Sequence, residues 1–122
     1  MRTLLIVLLF TSCAAPRLVE TQLYFAQSRP DGSLITYEEW NHFKATHIAR
    51  VFKEGSTTIS ATGNWYDTTS HQLITEPTYV VSYVHKRSAV ISKQIDSLRN
   101  IYVVMFKQQS VLRTDKRVKA SF

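Results

Sequence analysis

Two stretches of helical period, each flanked by stretches of period two, constrain this chain more than any other feature. The first helical stretch opens at Thr36, which is the predicted N-cap, and Glu39 three residues on completes a capping box. Trp40, Phe43, His47, Ile48 and Val51 then recur at spacings of three and four, giving one apolar stripe to about Phe52. Lys53-Glu54-Gly55 stops it. The second opens at Ser88 and carries Ile91, Ile95, Leu98, Ile101 or Tyr102, and Met105, which predicts a helix to about Gln108.

Between and around them the period is two. In 21–27, Thr21, Leu23 and Phe25 share one face and Gln22, Tyr24 and Ala26 the other, a half-buried strand. Ser28 to Ser33 is a turn: Pro30 fixes φ and Gly32 can take positive φ. In 57–66, Ile59, Ala61, Gly63 and Trp65 alternate with Thr58, Ser60, Thr62 and Asn64, and the polar face suits a sheet edge. Asp67 to His71 is the hairpin loop. Pro77 precedes a third strand over 78–85, apolar on both faces, as a central strand should be. A short strand over 110–113 follows the second helix, and Val118, Ala120 and Phe122 alternate at the end.

The order strand, helix, strand, strand, helix, strand predicts a ferredoxin-like βαββαβ α+β sandwich, an antiparallel sheet with two helices on one face. The right-handed crossover rule selects this topology over its mirror image, with the second strand at an edge and the first and third in the centre. The other sheet face then lacks helix cover. Gln22, Tyr24, Ser60 and Thr62, with Tyr83 or Val84, are expected on it. It is either a plain solvated face or the seat of a ligand or second subunit.

Ahead of this body, Arg2 and the unbroken apolar run Leu4 to Phe10 lead through Thr11 and Ser12 to Cys13, the layout of an export signal. As a helix, 4–15 would rise roughly 18 Å against about 30 Å of hydrocarbon, too short to span a membrane. Phe10-Thr11-Ser12-Cys13 resembles a bacterial lipobox, although leucine is usual where Phe10 stands. Cys13 is the only cysteine, so no disulfide framework is available. It reads best as a lipidation site, against a buried core thiol or a nucleophile. Acyl chains such as palmitate bury CH₂ groups at about 0.8 kcal/mol each, enough for a stable anchor when two or three are present. The expected organisation is a signal peptide over 1–12, a tether over 13–20 and one domain over 21–122. Ala14, which is not aspartate, directly after the cysteine resembles outer-membrane sorting, so the expected address is the periplasmic face of the outer membrane.

The net charge of +6 is moderate and spread over loose groups, among them Lys86-Arg87 and Lys116-Arg117-Lys119. Nucleic-acid binding would call for a denser basic stripe with stacking aromatics, so no nucleic acid is expected. The charge either solvates the surface or attracts anionic lipid head groups near the anchor. His42 and His47, five apart, stand about 140° apart on an α-helix and share no metal face. No metal and no cofactor are expected. Ser110 is followed by Val111, not by the glycine of a nucleophile elbow.

The candidate ligand-binding residues are Glu76, His85 and Arg113, with Tyr24 and Trp65 near them by topology. A Glu76–Arg113 pair would tie strand ends together. Alternatively, Arg113 would grip a carboxylate or phosphate bidentately, with Trp65 and Tyr24 as walls. Trp40, Phe43 and Phe52 are assigned to the core.

From Thr21 onward the chain resembles a known family. The carrying residues include Leu23-Tyr24-Phe25, Pro30-Asp31-Gly32, Trp40, Phe43, the Gly63-x-Trp65 pair and Gln109-Ser110-Val111-Leu112-Arg113. The family is that of bacterial lipoproteins with domain of unknown function 3574. Ala26, Lys53-Glu54-Gly55 and Ser70-His71 depart from its pattern, all near turns. The resemblance implies an export signal and a lipobox but supplies no catalytic residue.

The functional expectation is a lipid-anchored envelope domain, bound to the membrane through Cys13, that engages a partner or small ligand through its uncovered sheet face, a homodimer included. The alternatives are a small cofactor-independent enzyme with a pocket at Tyr24, Trp65, His85 and Arg113, and a structural envelope protein without a ligand.

Overall fold

The computed structural model describes residues 17–122. Cys13, the predicted signal and the first half of the tether, residues 13–16, lie outside the described residues. Four strands, β1 (Leu18–Ala26), β2 (Thr57–Asp67), β3 (Gln72–Lys86) and β4 (Leu112–Val118), form one antiparallel sheet in the order β2-β3-β1-β4. A first helix over 37–51 (α1) and a second, Ala89–Phe106 (α2), cover one face. This is the ferredoxin-like βαββαβ sandwich, with β2 at an edge and β1 and β3 central.

The capping box forms as the sequence requires: Glu39 N–H donates to Thr36 Oγ1, and Thr36 N–H donates to Glu39 Oε2 at 2.8 Å. Arg29 Nη2 donates to the other Glu39 oxygen at 2.6 Å. That bond, then the Thr36 amide, holds the Glu39 carboxyl down at about 2. Ser88 caps α2, and Lys107 ends it in the left-handed conformation.

α1 departs from the regular helix expected. It runs Tyr37–Phe43, widens into a π-turn at Lys44–Ile48, and resumes at Ala49–Val51. The buried residues are Trp40, Phe43, Ile48 and, just past the end, Phe52. The step from Phe43 to Ile48 is five residues, about 140° out of line in an α-helix. The wide turn absorbs the extra residue and returns Ile48 to the core face, leaving His47 partly covered. The same turn changes the angle between His42 and His47. Among the described residues no group of three potential metal ligands assembles.

On α2 the core positions are Ile95, Leu98, Tyr102 and Phe106. Tyr102 settles the choice against Ile101, and Phe106 replaces Met105, which is exposed. The core is aromatic: Phe25 meets Tyr102 with ring centroids 4.7 Å apart, Tyr79 stacks on Trp40 at 4.7 Å, and Phe52 stacks on Tyr83 at 4.2 Å. Tyr102 donates to Ala26 O at 2.7 Å and accepts from Gln27 Nε2 at 3.0 Å, and burial raises its phenol above the usual range.

Three strand expectations are corrected. β3 is much longer than 78–85 and includes Pro77. The Pro77 carbonyl accepts from Gln27 N–H, on the side where β1 ends at Ala26, so the missing N–H faces no ladder partner. β4 continues from Leu112 to Val118, because it pairs with β1 along seven successive residues. The faces of β2 are the reverse of those expected. Ser60 stands opposite Tyr79, whose ring lies on Trp40, so Thr58, Ser60 and Thr62 are on the helix side and Ile59, Ala61, Gly63 and Trp65 on the uncovered side. The helices do not reach this edge, so its polar residues stay exposed on the helix side. Of the two candidates on β3, Val84 joins the uncovered face, and Tyr83 is buried in the core.

Candidate functional site

The five residues singled out in the sequence fall into three places. His85 and Arg113 line a cleft at the end of the sheet where β1 begins. Trp65 and Glu76 line a notch at the opposite end. Tyr24 sits between them on the uncovered face.

The first cleft, about 540 Å³, opens between β1, β4 and the start of α2 and is lined by Val19, His85, Arg87, Ser92, Arg113 and Asp115, among others. Its floor is a polar chain that crosses three strands. Thr21, fully buried on β1, pairs with Tyr83 on one side and Asp115 on the other. Its Oγ1 lies 2.8 Å from His85 Nε2 and 2.6 Å from Asp115 Oδ1. His85 Nδ1 lies 2.9 Å from the Lys86 carbonyl, which can only accept, so Nδ1 carries a hydrogen. The Thr21 hydroxyl has one proton for two neighbours. If it donates to Asp115, His85 Nε2 must donate to it. If it donates to His85, the Asp115 carboxyl must supply the other hydrogen. The two arrangements differ by one proton moved between the buried imidazole and the cleft-facing carboxyl, with Thr21 as the relay.

Arg113 is fixed above this chain. Its Nε donates to both Asp115 oxygens, at 3.0 and 3.2 Å, and its Nη1 to Asp96 Oδ1 at 3.0 Å and Ser92 O at 3.2 Å. Asp96 also accepts from Arg99 Nη1 at 2.9 Å. Partial burial works against the Asp96 carboxylate, but the bonds from Arg99 and Arg113 outweigh it and hold the carboxyl below its usual range. Arg99 spends its Nε and Nη2 on Val111 O, just before β4. The expected Glu76–Arg113 pair does not form, because the two residues lie at opposite ends of the sheet and Arg113 is taken by Asp96 and Asp115.

Sequence reasoning missed Thr21, Asp96 and Asp115. One signal was present: Thr21 shares the core face of β1 with Leu23 and Phe25, and a buried hydroxyl requires a partner. Its partners lie 64 and 94 residues away; the sequence marks His85 as a candidate but gives no sign that Thr21 is what it meets, and Asp115 carries no mark at all.

At the other end, β2 and β3 run past the last residue of β1 as a two-stranded arm. Beneath it lies a notch of about 720 Å³ between Trp65, Ile74 and Glu76 on the arm and Arg29, Lys107 and Gln108 on the body. Gly63 fits here because a Cβ would stand 2.8 Å from Thr78 Oγ1. Trp65 is half exposed, and the Glu76 carboxylate makes no hydrogen bond among the described residues.

Tyr24 belongs to a row across the uncovered face. Leu112, Tyr24, Val80 and Ile59 stand directly opposite one another on β4, β1, β3 and β2. Val80 is 8% exposed, although no helix covers it, because its neighbours in the row close over it; Ile59 and Leu112 at the edges are 50% and 58% exposed. Toward the start of β1 the same face turns polar: Ser82 donates to Glu20, and Lys116 pairs with Glu20 at 3.2 Å. Among the described residues no helix is long and apolar enough to cross a membrane.

The family model described as "Protein of unknown function (DUF3574)" matches residues 20–122. The chain belongs to this family. No curated protein matches it. Among solved structures it is similar to a phage SAM lyase in complex with S-methyl-5'-thioadenosine, with a TM-score of 0.64 and 16% identity over 88% of this chain and 87% of that one. It is also similar to a phage SAM lyase in the apo state, with a TM-score of 0.63 and 16% identity over 93% of this chain and 86% of that one. At that identity the likeness is one of fold. The DUF3574 chain and the lyases share the four-stranded sheet with both helices on one side.

Proposed function

We propose that this DUF3574 chain is a lipid-anchored domain of the bacterial cell envelope, held at the periplasmic face of the outer membrane through Cys13, whose uncovered sheet face associates with a second copy of the chain. The observation that carries the association is the apolar row Leu112–Tyr24–Val80–Ile59, which reaches both edges of the sheet and continues toward Trp65 on the arm. A sheet face with water on it is expected to carry polar residues, and along this row it does not; Thr78 and Glu76 bring them back on β3 toward the arm. Analytical ultracentrifugation of residues 13–122 carrying Cys13→Ser, which starts where processing would and cannot be acylated, tests the reading. A dimer is expected at tens of micromolar, and Ile59→Glu with Leu112→Glu converts it to monomer. A wild-type chain that stays monomeric throughout that range sinks the proposal.

A second reading places a small cofactor-independent enzyme activity in the cleft of His85 and Arg113. The relay from His85 through Thr21 to Asp115 favours it, because it supplies a movable proton at a surface a substrate can reach. The fold shared with phage SAM lyases adds weak support. Thermal shift with S-methyl-5'-thioadenosine is the direct probe. Stabilisation that Asp115→Asn abolishes would favour this reading over association alone.

A further inference from the structure

The positive charge that looked scattered along the chain is gathered by the fold at one end. Leu18 stands opposite Lys86 and Val118, and Val19 opposite His85 and Arg117. The Arg17 carbonyl accepts from Arg87 N–H at 3.0 Å, and Lys119 follows the last residue of β4. Arg17, Lys86, Arg87, Arg117 and Lys119 therefore form a rim at this end of the sheet; Arg87 and Arg117 line the first cleft, and Lys86 shares the uncovered-face register of Val84. All five are exposed, and none has an ion pair among the described residues. Of the acids at this end, Asp115 is engaged by Arg113, Asp96 by Arg99 and Arg113, and Glu20 by Lys116, which leaves Glu54, ahead of β2, as the one without an ion pair among the described residues. The opposite end carries Asp31, Asp67 and Glu76.

This rim is also where the chain leaves the body toward Cys13. Three residues, Ala14 to Pro16, separate Cys13 from Arg17, so their Cα atoms lie at most about 14 Å apart along an extended chain. An acyl group on the Cys13 sulfur would hold the rim close to a bilayer surface, within a Debye length or two at physiological salt.

We infer that the rim of Arg17, Lys86, Arg87, Arg117 and Lys119 docks the domain on an anionic lipid surface, so that the body stands on the membrane with the first cleft facing it and the β2–β3 arm pointing away. The occupant is a layer of phosphate-bearing lipid head groups. The cations are separate exposed point charges around a perimeter, and each adds about 1 kcal/mol near such a surface. The inference rests on the Cys13 anchor proposed above for its biological setting, but the surface can be tested without it.

The test is vesicle flotation of the full chain carrying Cys13→Ser, which cannot be acylated. Vesicles of phosphatidylglycerol with phosphatidylethanolamine are compared with vesicles of phosphatidylcholine with phosphatidylethanolamine. The segment ahead of Cys13, with Arg2 and its apolar run at 4–10, contributes equally in every variant, so the readout is the change in the ratio of the two affinities on substitution. A ratio well above about 30 is expected at low salt, falling as salt rises. Arg87→Gln with Arg117→Gln should lower it about 30-fold, two charges' worth. Lys44→Gln with Lys107→Gln, away from the rim, should leave it unchanged. Equal binding to both vesicles overturns the inference, as does an anionic preference that survives the rim substitutions. Failure of the anchor is read separately: mass spectrometry of the wild-type chain from its native host would then find Cys13 unmodified, whatever the flotation ratio.

Discussion

At the end of the sheet where β1 begins, Thr21, His85, Asp115, Arg113 and Asp96 are locked together by hydrogen bonds that cross three strands and α2. At the other end, Glu76 has no side-chain partner among the described residues, and Trp65 stands half in water on a two-stranded arm. Both ends carry a concavity of useful size. The difference is in how the polar groups are held. A group already fixed by its neighbours loses little freedom when a ligand or proton arrives, whereas an arm with apolar surface and loose side chains gains most by burying that surface against something else. The first end is organised for charge, the second for contact.

Removing the guanidinium is the strongest test of that contrast. Arg113→Ala leaves Asp115 with only the Thr21 hydroxyl and takes one of the two arginines from Asp96, so a loss of about 2 kcal/mol is expected after discounting for the partly exposed carboxylates. Glu76→Ala at the other end should stay within about 0.5 kcal/mol of wild type. Urea denaturation of the two variants, read from their midpoints at unchanged slope, compares them directly, and equal losses would erase the distinction between the ends.

Thr21→Val sharpens the same comparison at one atom. It keeps the shape of the side chain but removes the hydroxyl, leaving the Nε2 of a nearly buried His85 without its partner. The expected cost is about 1–2 kcal/mol in the same denaturation experiment. A variant as stable as wild type would mean that the chain from His85 to Asp115 does not hold the strands.

The smallest effect is acid sensitivity beside the arm. The Glu39 carboxyl sits at about 2 in the fold against an ordinary 4.5, held first by Arg29 and then by the Thr36 amide. A depressed folded value stabilises the fold fully above pH 4.5, and that contribution fades as pH falls toward 2. Glu39→Gln should therefore lower the midpoint of thermal unfolding at pH 6 and leave it nearly unchanged at pH 2. A difference that is the same at both pH values would place the role of Glu39 elsewhere than in its charge.

The local features were legible because short-range rules set them. The capping box at Thr36 and Glu39, the Ser88 cap, the turn at Pro30 to Ser33 and the alternation of Thr21, Leu23 and Phe25 each depend on residues within a few positions of one another, and each stands where the pattern put it. The element order was enough to specify the sheet order, because handedness and connection rules leave one solution. The faces of β2 were not legible. Its alternation is real, but which side turns to the helices depends on pairing Ser60 with Tyr79, and the overhanging edge gives its polar residues water on either side.

The site was less legible still. Of the five candidate residues, His85 and Arg113 line one cleft, while Trp65 and Glu76 line another and Tyr24 stands between them, a separation that no local pattern in the chain carries. Register decides it. Alone, the sequence determined the type and order of the elements, the order of the strands, the aromatic core and the total charge, since these follow from local spacing and composition. Only the tertiary structure decided that Thr21 would meet His85 and Asp115, and that separate cations in three segments would share one rim, because a side chain in a sheet acquires its neighbours from strands distant in sequence and a shift of one residue would have sent each to the opposite face.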